Sequence, residues 1–264
     1  MNVPFRLGTT SFIYPGGWLA NVKRLAGRFS DIEILFFESD GPGVLPSVPE
    51  RGSLAAWKAR AGLTYSLHTP LDVSLASSDE QRRRASVASV QRAVEAAEPF
   101  RPDATIVHVY LGEREHDDHV PADLQAWRRR AAGSLEEILR LGVAPGDLCV
   151  EVLDYDFTLI DPVVADLGLS VALDVGHLLR ERRDENAILC RNLHRTRIIQ
   201  WHGVDPSGRD HRSLAHYPRD RARQLLDTLM HESYQGVLTL EVFRESDLDE
   251  SVSVLTSLLG ETAA

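Results

Sequence analysis

Carboxylates and imidazoles recur at the ends of short apolar runs. They are His68 in LTYSLHTP, His108 in DATIVHVY, Glu151 in DLCVEVLD, Asp174 and His177 in LSVALDVGHLL, His202 in TRIIQWHG and Glu241 in QGVLTLEVF. A buried, unpaired carboxylate costs several kcal/mol, and coordination to a metal removes that cost. Neutral imidazole nitrogens and carboxylate oxygens suit Zn2+, Mn2+ or Fe2+ better than a thiolate-selective metal. Such a set can hold metal-activated water for phosphoester hydrolysis. It can equally polarise a sugar carbonyl while a carboxylate moves a proton, as in isomerisation. Spacing alone does not separate the two; the surplus of histidines tilts the reading toward hydrolysis. Glu151, Asp174, His202 and Glu241 are the expected anchors of a principal metal, with His68, His108 and His177 beside a neighbouring one. Asp210 and His211, in HGVDPSGRDHRSL, would fold back over the metals and help the leaving group, or else form a solvated turn.

These residues need elements that bring them together. Strand-like and helix-like segments alternate through eight units, from FRLGTTSF and WLANVKRLAGRF to QGVLTLEVF and DLDESVSVLTSLLG. The strand segments are short and mostly apolar, as expected when both faces are covered. The parsimonious fold is a single (β/α)8 TIM barrel spanning 1–264 as one catalytic domain, with an open doubly wound sheet as the alternative. The polar strand ends would then converge at the C-terminal mouth. Gly176 would permit a close turn that returns His177 to that mouth. The acidic insertion GEREHDDHVP follows the fourth strand, and its His116 and His119 read as loop residues.

The 264 residues carry 39 acidic against 29 basic side chains, a formal charge of -10. Capture of nucleic acid or an anionic membrane is not the expected task. Cys149 and Cys190 show neither metal-knuckle spacing nor a disulfide framework, and Cys149 reads as a small buried side chain. No segment has a membrane-spanning apolar length, and no secretory signal is evident, so a cytoplasmic setting is expected.

The chain resembles the xylose-isomerase-like barrel superfamily, which includes sugar epimerases and the AP endonuclease family typified by endonuclease IV. In the endonuclease branch the metal array draws on positions matching His68, His108, Glu151, Asp174, His177, His202, Asp210, His211 and Glu241. There the loop aspartate and histidine are separated by one residue; here Asp210 and His211 are adjacent. LGTTSFIYP, FFESD, YSLHTPLD, LCVEVLDYDF, ALDVGHLL, RDHRSL and LTLEVF, in that order, look more similar to the CbiR family of cobamide-remodelling phosphodiesterases. That resemblance implies a corrinoid substrate, pseudocobalamin or cobalamin, hydrolysed in its nucleotide loop. It also implies a mouth wide enough for a large ligand, met by Thr10, Ser11, Tyr14, Trp18, Glu38, Asp72 and Tyr155.

Overall fold

A computed structural model describes residues 3–112, 119–152 and 154–262; His116 lies outside them. The strands are β1 (Arg6–Thr10), β2 (Asp31–Leu35), β3 (Thr64–His68), β4 (Ala104–Val107), β5 (Leu148–Val152), β6 (Ser170–Asp174), β7 (Thr196–Trp201) and β8 (Val237–Leu240). Between them run α1 (Trp18–Leu25), α2 (Val48–Ala61), α3 (Glu80–Ala97), α4 (Leu124–Leu139), α5 (Asp161–Asp166), α6 (Val175–Arg180), α7 (Glu185–Asn192) and α8 (Arg219–His231), and α9 (Glu245–Thr262) follows β8. The strands close into a parallel barrel in chain order, with β8 returning to β1. This is the (β/α)8 architecture expected from the alternation. Among the described residues no helix is long and apolar enough to cross a membrane.

Local chemistry sets the helix starts. Asp79, Asp123 and Asp184 accept backbone N–H groups of the first turns of α3, α4 and α7. Gly62 ends α2 in the left-handed conformation, at φ 64°.

The period-two alternation of a strand then sorts side chains into two cores. Outward residues pack under the helices in the larger core. Ala104, Ile106, Cys149, Ala172, Ile198 and Val237 form a separate small cluster. Two residues further along the same strand faces stand His108 after Ile106, Glu151 after Cys149, Asp174 after Ala172, Gln200 after Ile198 and Thr239 after Val237. The barrel interior therefore changes from apolar to polar toward its C-terminal end. Cys149 is fully buried in the apolar part, as its sequence context suggests.

The structure shifts some borders. His108 and Glu241 sit one residue beyond β4 and β8 rather than inside them. Glu38 lies three residues past the end of β2 and is exposed. The segment after Asp174 is not a loose turn: α6 begins at once, and Asp174 Oδ1 accepts the His177 N–H at 2.7 Å.

Candidate metal centre

Glu151 stands at the middle of one half of the site. Its Oε2 lies 2.7 Å from His108 Nε2 and 3.2 Å from His68 Nε2, all three side chains being buried. The opposite ring nitrogens are already engaged. His68 Nδ1 lies 2.9 Å from the Thr69 carbonyl oxygen. His108 Nδ1 lies 2.6 Å from the Tyr110 hydroxyl, which itself donates to the Leu71 carbonyl oxygen at 3.0 Å. With each Nδ1 so engaged, each Nε2 is aimed at Glu151: carrying a proton it donates to the carboxylate, and without one it would serve as a metal ligand. Two such nitrogens facing one carboxylate call for a positive charge among them.

The other half is built from Asp174, His177, His202, His211 and Glu241. His202 Nε2 is 3.2 Å from Asp174 Oδ1, and His177 Nδ1 is 3.5 Å from Asp174 Oδ2. His211 stacks on His202 at 4.2 Å between ring centroids, and its backbone N–H donates to His202 Nδ1 at 3.0 Å. His211 reaches this position with φ at 50°. Glu241 Oε1 accepts from Gln200 Nε2 at 3.2 Å. Asp174 Oδ2, His202 Nε2, Glu241 Oε2 and Glu33 Oε2 are buried with no hydrogen-bond partner.

Orphaned ligand atoms of this kind are costly in a dry interior, and they fit a cation. Three sets bring one ligand atom per residue within 4.8 Å of one another: His68–His108–Glu151, Glu151–Asp174–His177 and Asp174–His202–Glu241. His177–His202–His211 and Glu33–His68–Glu241 satisfy the same condition. The residues present are thus positioned to chelate metal, and they support metal-dependent catalysis.

Electrostatics divide the carboxyls. Burial opposes ionisation of Glu151, but the charge of His108 and hydrogen bonds from His108 and His68 hold its pKa well below the usual range. Asp174 is likewise buried, yet His177 and His202 keep it ionised. Burial pushes Glu241 far up, and Asp174, Glu33 and Glu151 add repulsion. Glu33 is pushed up by burial and then by Glu151. Burial, followed by the neighbouring His202 and His177, lowers His211 to about 3, leaving its imidazole neutral.

Glu33 and Gln200 belong to this interior although the sequence reading passed over them. Gln200 Nε2 lies 3.4 Å from Glu33 Oε1, and both residues are fully buried. The available signal was parity: Gln200 is two residues before His202, and Glu33 stands in DIEIL on the face opposite Ile32 and Ile34. Asp210 is drawn aside by Arg180, whose guanidinium pairs with its carboxylate. His177 Nε2 remains 3.8 Å from Asp210 Oδ2.

The residues expected to meet a large ligand separate. Ser11, Trp18 and Glu38 line a pocket beside the metal centre. Thr10 is buried, its hydroxyl donating to the Val242 carbonyl oxygen. Tyr14 is buried beneath the Arg24 guanidinium. Tyr155 is buried and donates to the Val109 carbonyl oxygen at 2.7 Å. Asp72 accepts from the N–H and hydroxyl of Ser39. Thr10, Tyr14 and Tyr155 are thus buried against their own surroundings, whereas Asp72 is exposed.

The chain belongs to the xylose isomerase-like TIM barrel family, whose model matches residues 20–258. No curated protein matches it significantly by sequence. A D-tagatose 3-epimerase-like protein superposes with a TM-score of 0.76 at 18% identity, over 98% of this chain and 100% of the other. Endonuclease IV from Thermus thermophilus gives 0.71 at 19%, over 97% and 99%. The 3-keto-D-glucoside 4-epimerase YcjR from E. coli gives 0.71 at 18%, over 97% and 99%. At such identities the likeness is one of fold.

These findings overturn the expected cobamide phosphodiesterase activity and corrinoid partner. The similar structures named above are an epimerase-like protein, an epimerase and an endonuclease, and none bears the name of a corrinoid enzyme. The cavity lined by His68, His108, Glu151, His177, His211 and Glu241 encloses about 80 Å³. That is below the roughly 300–1,000 Å³ of ligand pockets, and a corrin macrocycle does not fit inside it.

Two outcomes follow from this packing. A methyl group at Gly176 would overlap the His202 ring. Gly176→Ala should therefore weaken metal binding by about ten- to a hundredfold in a calorimetric titration, with the far-ultraviolet circular dichroism retained; unchanged affinity would refute the contact. The second concerns pH. The folded-state pKa of Glu241 is raised, so the metal-free fold keeps a proton that the unfolded chain releases near 4.5. The stability this contributes is present below that pH and is lost as pH rises toward the folded value. In chelator, melting temperatures of Glu241→Gln should fall less steeply with rising pH than those of the unsubstituted protein; parallel curves would contradict the assignment.

Proposed function

We propose that the chain is a metal-dependent sugar epimerase or isomerase, read as one catalytic domain over 1–264. The observation that carries this reading is a pair of glutamates lining one small cavity, each with an oxygen in reserve. Glu151 commits Oε2 to His108 and His68, and Glu241 commits Oε1 to Gln200. Glu151 Oε1 and Glu241 Oε2 remain for the ligand side. Asp174, shared by two ligand sets, would hold a divalent cation with Glu151 and His177 or with His202 and Glu241; Zn2+, Mn2+ and Fe2+ suit these donors. Such a cation supplies polarisation of a sugar carbonyl.

The remaining steps belong to side chains. Glu151 and Glu241, which both line the cavity, serve the carbon beside the carbonyl, one taking its proton and the other returning one. His68 and His108 fix the Glu151 carboxylate, and Gln200 fixes that of Glu241. His211 holds His202 through its backbone N–H, and Arg180 holds Asp210, so these loop residues position the site. The small cavity excludes bulk water around the transferred proton.

The wealth of imidazoles favours a second reading, cleavage at abasic DNA sites, since three overlapping ligand sets exceed what one cation needs. A charge of -10 and the carboxylate partners of Arg180 and Arg212 weigh against a DNA backbone.

The deciding experiment incubates the metal-loaded protein with neutral ketoses and aldoses in D2O and follows carbon-bound deuterium by NMR. Deuterium should enter beside the carbonyl, disappear with chelator, and fall about a hundredfold or more in Glu151→Gln. Absence of exchange with every sugar, together with nicking of abasic DNA, would replace this reading with the second.

A further inference from the structure

A large cavity lies at the N-terminal end of the barrel, opposite the metal centre. Arg6 opens β1, Thr196 and Arg197 open β7, and loop 233–236 leads into β8; all of them line it. It encloses about 740 Å³, against about 80 Å³ for the metal cavity. That volume falls within the roughly 300–1,000 Å³ of small-molecule sites. Its lining holds the guanidiniums of Arg6 and Arg197 and a single carboxylate, Glu232, whose Oε1 lies 3.0 Å from His231 Nδ1. In a chain with 39 acidic against 29 basic side chains, a cavity with two guanidiniums and one carboxylate runs against the composition.

Arg6 is the less satisfied of the two. Among the described residues its guanidinium makes no hydrogen bond and no ion pair, and its Nε is buried without a partner. Asp31 feels its charge, but burial pushes that carboxyl up, and its oxygens already accept from the Thr64 and Ser66 hydroxyls at 2.6 and 2.8 Å. A desolvated guanidinium without an acceptor is costly, and an oxyanion removes the cost. Arg197 is fixed in the wall: its Nη2 donates to Asp147 Oδ1 and to the Asp103 carbonyl oxygen, both at 2.9 Å. A guanidinium carries five N–H donors, so these bonds orient the group without exhausting it. Tyr234 packs between the two. Burial and Cys149 push its hydroxyl up, and the charges of Arg6 and Arg197 both oppose this. A methyl group at Gly236 would strike the Tyr234 ring and the Arg197 carbonyl oxygen, so the wall closes only around a glycine.

We infer that this cavity binds a phosphate group, free or carried as a monoester by a small polar molecule, with its oxygens on Arg6 and Arg197. A phosphate dianion balances two guanidiniums and accepts from their N–H forks, whereas one carboxylate balances only one. Ser233 and Gln235 add a hydroxyl and an amide to the lining, which suit a hydroxyl-bearing remainder. The site is one of binding, separate from catalysis. An apolar layer that includes Cys149 and Ala172 precedes Glu151 and Asp174 on the same strands and divides the two ends of the barrel. The inference therefore stands independently of the sugar reading of the metal cavity.

The probes are glycerol 3-phosphate, glycerol and inorganic phosphate, titrated calorimetrically into the full chain with and without chelator. Glycerol 3-phosphate should bind at least about tenfold tighter than glycerol, and equally well in chelator. Arg6→Gln should weaken it by about tenfold or more, as expected for charge-assisted hydrogen bonds, while the affinity for metal stays unchanged. Inorganic phosphate binding as tightly as the ester would support the site and assign it free phosphate; weaker binding would support it and assign it the ester. Should Arg6→Gln fail to fold, hydrogen exchange of the unsubstituted protein decides: the ester should protect amides in 193–197 and 233–236. No preference over glycerol, an affinity unchanged in Arg6→Gln, or absence of that protection would overturn the inference. Binding that disappears with chelator would also overturn it, by placing the phosphate at the metal centre.

Discussion

Closing eight parallel strands into a barrel forces Glu33, Glu151, Asp174 and Glu241 into one dry interior, and their mutual repulsion governs what surrounds them. Burial alone would keep a proton on each. His68 and His108 reverse that for Glu151, and His177 and His202 reverse it for Asp174. Glu33 and Glu241 share the Gln200 amide, His211 Nδ1 stands 3.5 Å from Glu241 Oε2, and burial pushes both carboxyls up so that they keep their protons. Without a cation the interior is therefore neutralised partly by protons. Orphaned oxygens on Asp174, Glu241 and Glu33 mark where a cation could take their place.

Much of the scaffold exists to hold imidazoles against those carboxylates. Asp174 ends β6, caps α6 through the His177 N–H, and stands 3.2 Å from His202. One side chain thereby fixes a strand end, a helix start and two candidate ligands. Gly176 has to be glycine because the His202 ring occupies the space of a Cβ, while its own backbone is part of α6. The Gly203–Arg212 bridge folds the following loop back, so that the His211 N–H meets His202 Nδ1. Arg180 then neutralises Asp210 at the edge of the array.

The alternation of apolar and helical segments was enough to read the barrel, because the strands are short apolar runs covered on both faces. The polar strand ends were legible for the same reason: His68, Glu151, Asp174, His202 and Glu241 each break an apolar run. Glu33 and Gln200 were not, since they lie within strands and only barrel parity shows that they share the inner face. Distances also stayed hidden. Thr10, Tyr14 and Tyr155 look like a ligand-binding loop in sequence, but each is buried and anchors its own surroundings. Substrate size was misread because ordered motifs carry no information on cavity volume, and the cavity is too small for a corrinoid.

The same interior connects fold to chemistry. A cation would complete the charge balance, and the oxygens left over on Glu151 and Glu241 would then face a substrate in a space from which water is largely excluded. Crystals grown with Mn2+ or Zn2+ and measured at the metal absorption edge test this charge balance most directly. An anomalous peak beside Asp174, within reach of Glu151 and His177 or of His202 and Glu241, is the expected result. A map without a peak there, with the orphaned oxygens bonded to protein or ordered water instead, would contradict it.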